Sequence, residues 1–378
     1  MRFLAHHFPD FFLAVLGTSA QVFALRRMRP PRWVTMVILC VGCALLWGGL
    51  AMRSERAYAA LPLPVSSFLG AGGFMTLLLS FAFGAAALVL RFFPKPAAHH
   101  SPERRNFLLA SRAVVLASPI VVTGYGVFVQ RDAFRLREVD VPIRGLHKDL
   151  NGMRLVQVSD VHLSPFLSEK AFARVIDLAN ETKAHLAIMT GDLISTYRDP
   201  LDACIKQLAR LRTEAGLIGC LGNHEVYARA EDYATKKAAR FGMRFLRSQS
   251  EVLNFRGQPI NFAGVDYQKM YGDYLAGAER LIRPGMANIL LSHNPDVFPK
   301  AAAQGFDLTI SGHTHGGQIT VEILNQNVSV ARFYTPYVYG LYHEGDASVY
   351  VTRGLGTVGV PARLGAPPEV ALIRLCAI

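Results

Sequence analysis

Five short blocks of this 378-residue chain gather side chains that bind metals. They are Ser159-Asp160-Val161-His162, Gly191-Asp192, Gly222-Asn223-His224-Glu225, Ser292-His293-Asn294 and Gly312-His313-Thr314-His315-Gly316-Gly317. Each follows a short apolar run of the kind that forms a buried strand. In α/β sheets, ligands bind in the crevice beyond the carboxyl ends of the strands. Five such strands would deliver two Asp, one Asn and five of the chain's 12 His to one crevice. Carboxylate, amide and imidazole without thiolate suit Mn, Fe or Zn and do not choose between them. Taken singly, each block has a plainer reading as a surface turn, a capped turn or one exposed face of a strand.

The elements that must carry these blocks follow from the spacing of apolar residues. Strands are expected at 153–159, 185–190, 217–221, 260–265, 288–292, 307–311, 348–352 and 369–375, with 134–143 as a leading edge strand. Ser168 can cap a helix that sets Phe172, Val175, Ile176 and Ala179 on one face. A second helix at 201–211 aligns Leu201, Ile205, Leu208 and Leu211. Strands alternating with helices argue for α/β layering.

The ordered set D-x-H, G-D, G-N-H-E, H, G-H-x-H resembles the calcineurin-like metallophosphoesterase family. The resemblance covers about residues 135–378, and the order of all five blocks makes it specific where any single block is not. It implies a two-sheet β-sandwich flanked by helices, with two divalent metal ions at the strand ends. By the same resemblance, Asp160, His162 and His315 complete one metal site and Asn223, His293 and His313 the other. Asp192 is then the carboxylate that bridges both ions. Two ions about 3.5–4 Å apart can activate a water and stabilise a phosphoryl displacement. His224, adjacent to a ligand but outside the ligand pattern, becomes the general acid at the leaving oxygen or a cation that stabilises the transition state. The block at 312–318, with Arg353-Gly354-Leu355-Gly356 and Pro367-Pro368-Glu369, is similar to a membrane-anchored bacterial branch of that family.

The other half of the chain is built differently. Overall the sequence is 51% hydrophobic and only 18% charged, where a soluble globular chain carries about a quarter charged residues. Residues 1–130 hold 12 Lys and Arg against 3 Asp and Glu, while 131–378 hold 28 against 25. The basic excess therefore belongs to the apolar half, where such residues flank membrane spans. The balanced half carries no basic stripe, which argues against a nucleic-acid partner. An all-α membrane region of about four spans is expected, at 11–25, 33–52, 65–90 and 107–129, with the catalytic domain at 131–378. Small residues in the third run would let helices approach closely. Basic loops at 26–32 and 91–106 place those loops in the cytoplasm and the C-terminal domain outside it. Glu103-Arg104-Arg105-Asn106-Phe107-Leu108-Leu109 resembles a twin-arginine export motif, and reads equally as the basic flank of a span. Cys40 and Cys43, inside a span, read as small apolar residues.

The expected protein is a multi-pass inner-membrane, metal-dependent phosphoesterase, its catalytic domain extracytoplasmic. Its bond is a phosphodiester or pyrophosphate in a phosphorylated, lipid or lipid-linked substrate beside the bilayer. The alternatives are a phosphodiesterase for soluble nucleotides and a non-catalytic metal-binding membrane scaffold. A transporter is disfavoured, since the spans carry no buried charge beyond Arg112. Glu225 is expected to orient a neighbour, Asp266 to be structural, His185 and His343 to be ordinary histidines, and the aromatic run 333–342 to pack a sheet.

Overall fold

The computed structural model describes residues 2–28, 31–52, 54, 57, 60–89, 92, 121–269, 272–323 and 326–378. The chain divides into two compact units: Met1–Val129 with Gly359–Ala362, and Gln130–Val358 with Arg363–Ile378.

The first unit is helical, with α1 (Arg2–Met28), α2 (Arg32–Ala51) and α3 (Leu63–Val89), and a further helical turn set over 121–128. Among the described residues, two helices are long and apolar enough to cross a membrane, Arg32–Ala51 and Leu63–Ala85. Of the four expected spans, these two meet that test among the described residues, and the first does not. α1 is continuous, but Asp10 and Arg26 bracket its uncharged stretch, which is too short for a ~30 Å hydrocarbon core at 1.5 Å per residue. Of the fourth run only 121–129 is described; 107–120, and with it the twin-arginine-like stretch, lie outside the described residues. α2 and α3 touch at Gly49 and Gly73, where a Cβ on either would meet the Cα of the other. That contact realises the expected role of the small residues.

The second unit contains two mixed six-stranded sheets. The first has β1 (Arg135–Ile143), β2 (Arg154–Val158), β3 (Leu186–Thr190), β4 (Leu217–Cys220), β5 (Arg244–Phe245) and β14 (Glu369–Ala377), in the order β1-β14-β2-β3-β4-β5. The second has β6 (Gln249–Phe255), β7 (Gln258–Gly264), β8 (Ala287–Leu291), β9 (Leu308–Ser311), β12 (Gly340–Glu344) and β13 (Ala347–Val351), in the order β12-β13-β9-β8-β7-β6. A hairpin of β10 (Thr320–Ile323) and β11 (Gln326–Ser329) stands apart from both. β2, β3 and β4 run parallel, as do β7, β8 and β9, so each trio ends at one edge.

Alternate residues of both sheets meet in one core, with Leu155, Ile188 and Ile218 from the first and Phe262, Ile289 and Ile310 from the second. The outer face of the first sheet packs on helices α4 (Glu169–Glu181), α5 (Leu201–Leu208) and α7 (Glu231–Ala239) through Phe172, Ile176, Ile205 and Ala234. The Ser168 side chain accepts from Ala171 N–H and caps α4 as expected. α8 (Phe298–Gln304) covers the second sheet through Phe298 against Val349 and Val351. Two mixed sheets flanked by helices thus form the second unit. Interior strands buried on both faces explain why β2, β3, β4, β8 and β9 read as continuous apolar runs.

Candidate metal centre

The chemistry-bearing residues lie where the parallel strands stop. Asp160 and His162 follow β2, Asp192 follows β3, and Asn223 and His224 open the short helix α6 (Asn223–Ala228) after β4. His293 follows β8, and His313 and His315 follow β9. Backbone bonds stitch these turns together. Asp160 N–H donates to the Gly191 carbonyl, His162 N–H to the Asp192 carbonyl and Gly312 N–H to the His293 carbonyl.

The side chains converge. One Asp192 oxygen, Oδ2, lies 3.4 Å from His162 Nε2 and 3.1 Å from His293 Nε2. Its other oxygen accepts His224 N–H at 2.9 Å. His315 Nε2 faces His162 Nε2 at 3.2 Å and Asp160 Oδ1 at 3.6 Å. On the other side, His293 Nε2 lies 3.0 Å from Asn223 Oδ1 and 3.1 Å from His313 Nδ1. Three groups could each hold an ion: Asp160, His162 and His315; His162, Asp192 and His224; Asp192, His293 and His313.

The donor set fits divalent cations. Asp160 and Asp192 are fully buried, and the charged groups in ion-pair reach of them are histidines. Buried carboxylates demand a compensating charge. Facing ring nitrogens at hydrogen-bond distance must either share a proton or share a metal. Burial pushes the His315 ring well below its usual range and His313 down to about 3, keeping both neutral, as a ligand must be. Burial opposes protonation of His293 as well, but the Asp192 carboxylate outweighs it and raises that ring to about 9.

The backbone is strained at the same points. Asp160, His162, Asp192, His313 and His315 all have positive φ, between 45° and 75°. Non-glycine residues in the left-handed region cluster at sites where surrounding structure over-determines them.

Supporting groups orient the ligands. His293 Nδ1–H donates to the Thr190 carbonyl at 2.7 Å, turning Nε2 into the site. His224 Nδ1–H donates to the Ser195 carbonyl at 2.7 Å, and Ser195 Oγ bonds His162 Nδ1 at 3.0 Å. Glu225, fully buried, accepts the N–H groups of Asp192, Leu193 and Gly222 at 3.0, 2.7 and 2.8 Å, so it locks the second block to the third. Arg363, also fully buried, donates to the carbonyls of Gly356, His315, Ala366 and Arg353.

All eight site residues named from the sequence are thus brought together. Ser195 and Arg363 were missed, because a backbone carbonyl and a cation among carbonyls leave no motif. Asp266 bonds Arg247 at 2.7 Å, and His185 Nδ1 accepts the Arg154 N–H, both structural. In the aromatic run, Tyr337 packs on Phe298 and Tyr342, but Phe333 is 84% exposed, so packing accounts for only part of it.

A family model described as calcineurin-like phosphoesterase matches residues 153–317, spanning β2 to the end of the fifth block. The chain belongs to that family. It is 28% identical over 280 residues to the uncharacterized metallophosphoesterase YkuE of Bacillus subtilis, covering 72% of this chain and 97% of that one. It is 31% identical over 243 residues to the uncharacterized metallophosphoesterase Cj0846 of Campylobacter jejuni, covering 64% and 63%. It is 28% identical over 280 residues to a zebrafish protein named transmembrane protein with metallophosphoesterase domain, covering 70% and 63%. The matched stretch is thus under two thirds of the length of the last two relatives. As a calcineurin-like phosphoesterase, the chain is a metal-dependent hydrolase.

Proposed function

We propose that this chain is a membrane-anchored phosphoesterase that uses two divalent ions to cleave a phosphodiester or pyrophosphate bond in a lipid or lipid-linked substrate. The observation that carries the reading is the convergence of six ligand-type side chains around Asp192, with His224 beside them. Asp160, His162 and His315 would hold one ion; Asn223, His293 and His313 the other; Asp192 would serve both. When bound, such a pair supplies an acidified water and positive charge for an in-line displacement at phosphorus. His224 keeps Nδ1–H on the Ser195 carbonyl and offers Nε2 to the leaving oxygen. Burial lowers its pKa, while the Asp192 carboxylate favours the protonated ring, and an anionic phosphate would favour it further. The protonated ring then donates as the ester bond breaks.

The membrane part rests on two apolar helices and on relatives from zebrafish and cattle named transmembrane proteins with a metallophosphoesterase domain. In this reading 1–130 is the membrane region and 131–378 the catalytic domain, held outside the cytoplasm of a bacterial inner-membrane enzyme. A tether near the bilayer favours substrates that reside there.

The test is turnover by the purified full chain in detergent, loaded with Mn, on lipid phosphates, nucleotide–lipid pyrophosphates and an aryl phosphodiester. Cleavage of the lipid substrates in preference to soluble nucleotides is expected. Preference for soluble nucleotides would overturn the substrate class. No turnover by metal-loaded protein on any of them would make the chain a scaffold.

A further inference from the structure

His224 is oriented by a backbone carbonyl, and that carbonyl is in turn held by Asp199. The Ser195 carbonyl accepts His224 Nδ1–H at 2.7 Å. A carbonyl shares its rigid plane with the N–H of the next residue, so the Ser195 C=O and the Thr196 N–H turn as one body. Asp199 Oδ2 accepts that Thr196 N–H at 2.7 Å and the Ser195 N–H at 2.8 Å. One carboxylate oxygen thus holds both peptide units that meet at Ser195. The backbone that carries this carboxylate is fixed as well. Asp199 N–H donates to the Thr196 carbonyl at 3.1 Å, and the Asp199 carbonyl accepts Leu201 N–H at 2.8 Å where α5 begins. Leu201 and Ile205 bury α5 in the core beside the first sheet. Thr196, Tyr197 and Arg198 are exposed. Hydrogen bonds, and not packing, therefore set the shape of this turn.

We propose that Asp199 is a positioning residue for His224, acting through the peptide unit between Ser195 and Thr196. This rests on the reading of His224 as the donor to the leaving oxygen. Carboxylate, N–H, planar peptide, C=O and Nδ1–H form one line of contacts that holds the imidazole at Nδ1 and so aims Nε2. Without the Asp199 acceptor, both N–H groups turn to solvent and the peptide plane is free to rotate. The partner of Nδ1 then swings away, and the ring follows or loses it. A misplacement of about 1 Å can lower a rate about 10²-fold. The ligand set has other supports: Glu225 holds the Asp192 N–H, the Thr190 carbonyl holds His293, and the Asp192 carbonyl holds the His162 N–H. A change at Asp199 therefore falls on proton donation and spares metal binding.

The test compares Asp199→Ala, Asp199→Asn and His224→Ala in the manganese-loaded full chain in detergent, on an aryl and an alkyl phosphodiester. Asp199→Ala should lower kcat on the alkyl ester by about 10- to 100-fold. It should leave the rate on the aryl ester and the metal content close to those of the wild type. Asp199→Asn keeps an oxygen for both N–H groups and should restore most of the rate. In the His224→Ala background, Asp199→Ala should cost nothing further, since the ring it positions is gone. Amide hydrogen exchange across 195–196, followed by mass spectrometry, should quicken in Asp199→Ala and stay slow in Asp199→Asn. A loss of rate that persists in the His224→Ala background, or exchange unchanged by Asp199→Ala, overturns the proposal. A loss in His224→Ala with none in Asp199→Ala sinks the positioning role alone. No loss on the alkyl ester in His224→Ala sinks the donor reading, and the positioning role with it.

Discussion

Asp192 concentrates more of the site's electrostatics than any other side chain. Burial should push its carboxyl up, yet His293 and His162 hold it well below the usual carboxylate range. Because one oxygen faces both halves of the ligand set, Asp192→Asn is expected to lower the content of both ions; elemental analysis showing full content would reject the shared role. His224 is expected to behave in the opposite manner. His224→Ala leaves seven ligand-type residues in place, so metal content should persist while kcat falls by about 10²–10⁴-fold. The loss should be smallest for an aryl leaving group, whose anion needs little protonation, and largest for an alkyl or sugar alcohol. An emptied site in His224→Ala would make His224 a ligand, as its grouping with His162 and Asp192 allows. At this scale the blocks themselves were readable, since metal chemistry narrows the residue types. Ser195 was not, because it acts on His224 through a backbone carbonyl that any residue could provide.

The turns after β3 and β4 must nearly touch for Asp192 and Asn223 to share a centre. Glycine permits this. Gly191 holds φ +90°, and a Cβ on it would strike Gly222 N and Cα; a Cβ on Gly222 would strike Asp192 Oδ1 and its amide nitrogen. Gly222→Ala should therefore shift Asp192 and cost about 1–3 kcal/mol of stability. Metal analysis beside a thermal melt checks this, and unchanged metal content would show that the turn yields elsewhere. The interior strands and α4 were legible because burial on both faces, or on one helical stripe, writes itself into apolar spacing. β6 and β12 were not. Val252 and Leu253 sit among polar neighbours in β6, an edge strand that faces solvent along one side. β12 is the opposite edge, half exposed, and its first three residues, Gly340 to Tyr342, fall at the end of the aromatic run 333–342.

For the whole molecule, the proposed membrane anchor would hold residues 131–378 outside the cytoplasm. A reporter fused after Ile378 should be active only when exported, and activity of a cytoplasm-only reporter there would reverse the orientation. Replacing Arg104 and Arg105 together by Lys should block a twin-arginine route and leave a plain basic flank unaffected. Hydropathy separates an apolar stretch of the chain from a mixed one, but it overcounted spans. A run such as 11–25 is apolar by composition and still too short by geometry.

β14 lies between β1 and β2, although its residues 369–377 come after every other strand of both sheets. It pairs with β1 in parallel along nine positions and with β2 in the antiparallel sense. During synthesis, then, β1 and β2 emerge first but have no neighbour on their facing edges until more than two hundred further residues have been made. Closing so long a loop is slow. The half-built sheet keeps two open edges throughout translation, a state that invites pairing with other chains. The first sheet therefore cannot close during synthesis before its last strand has been made.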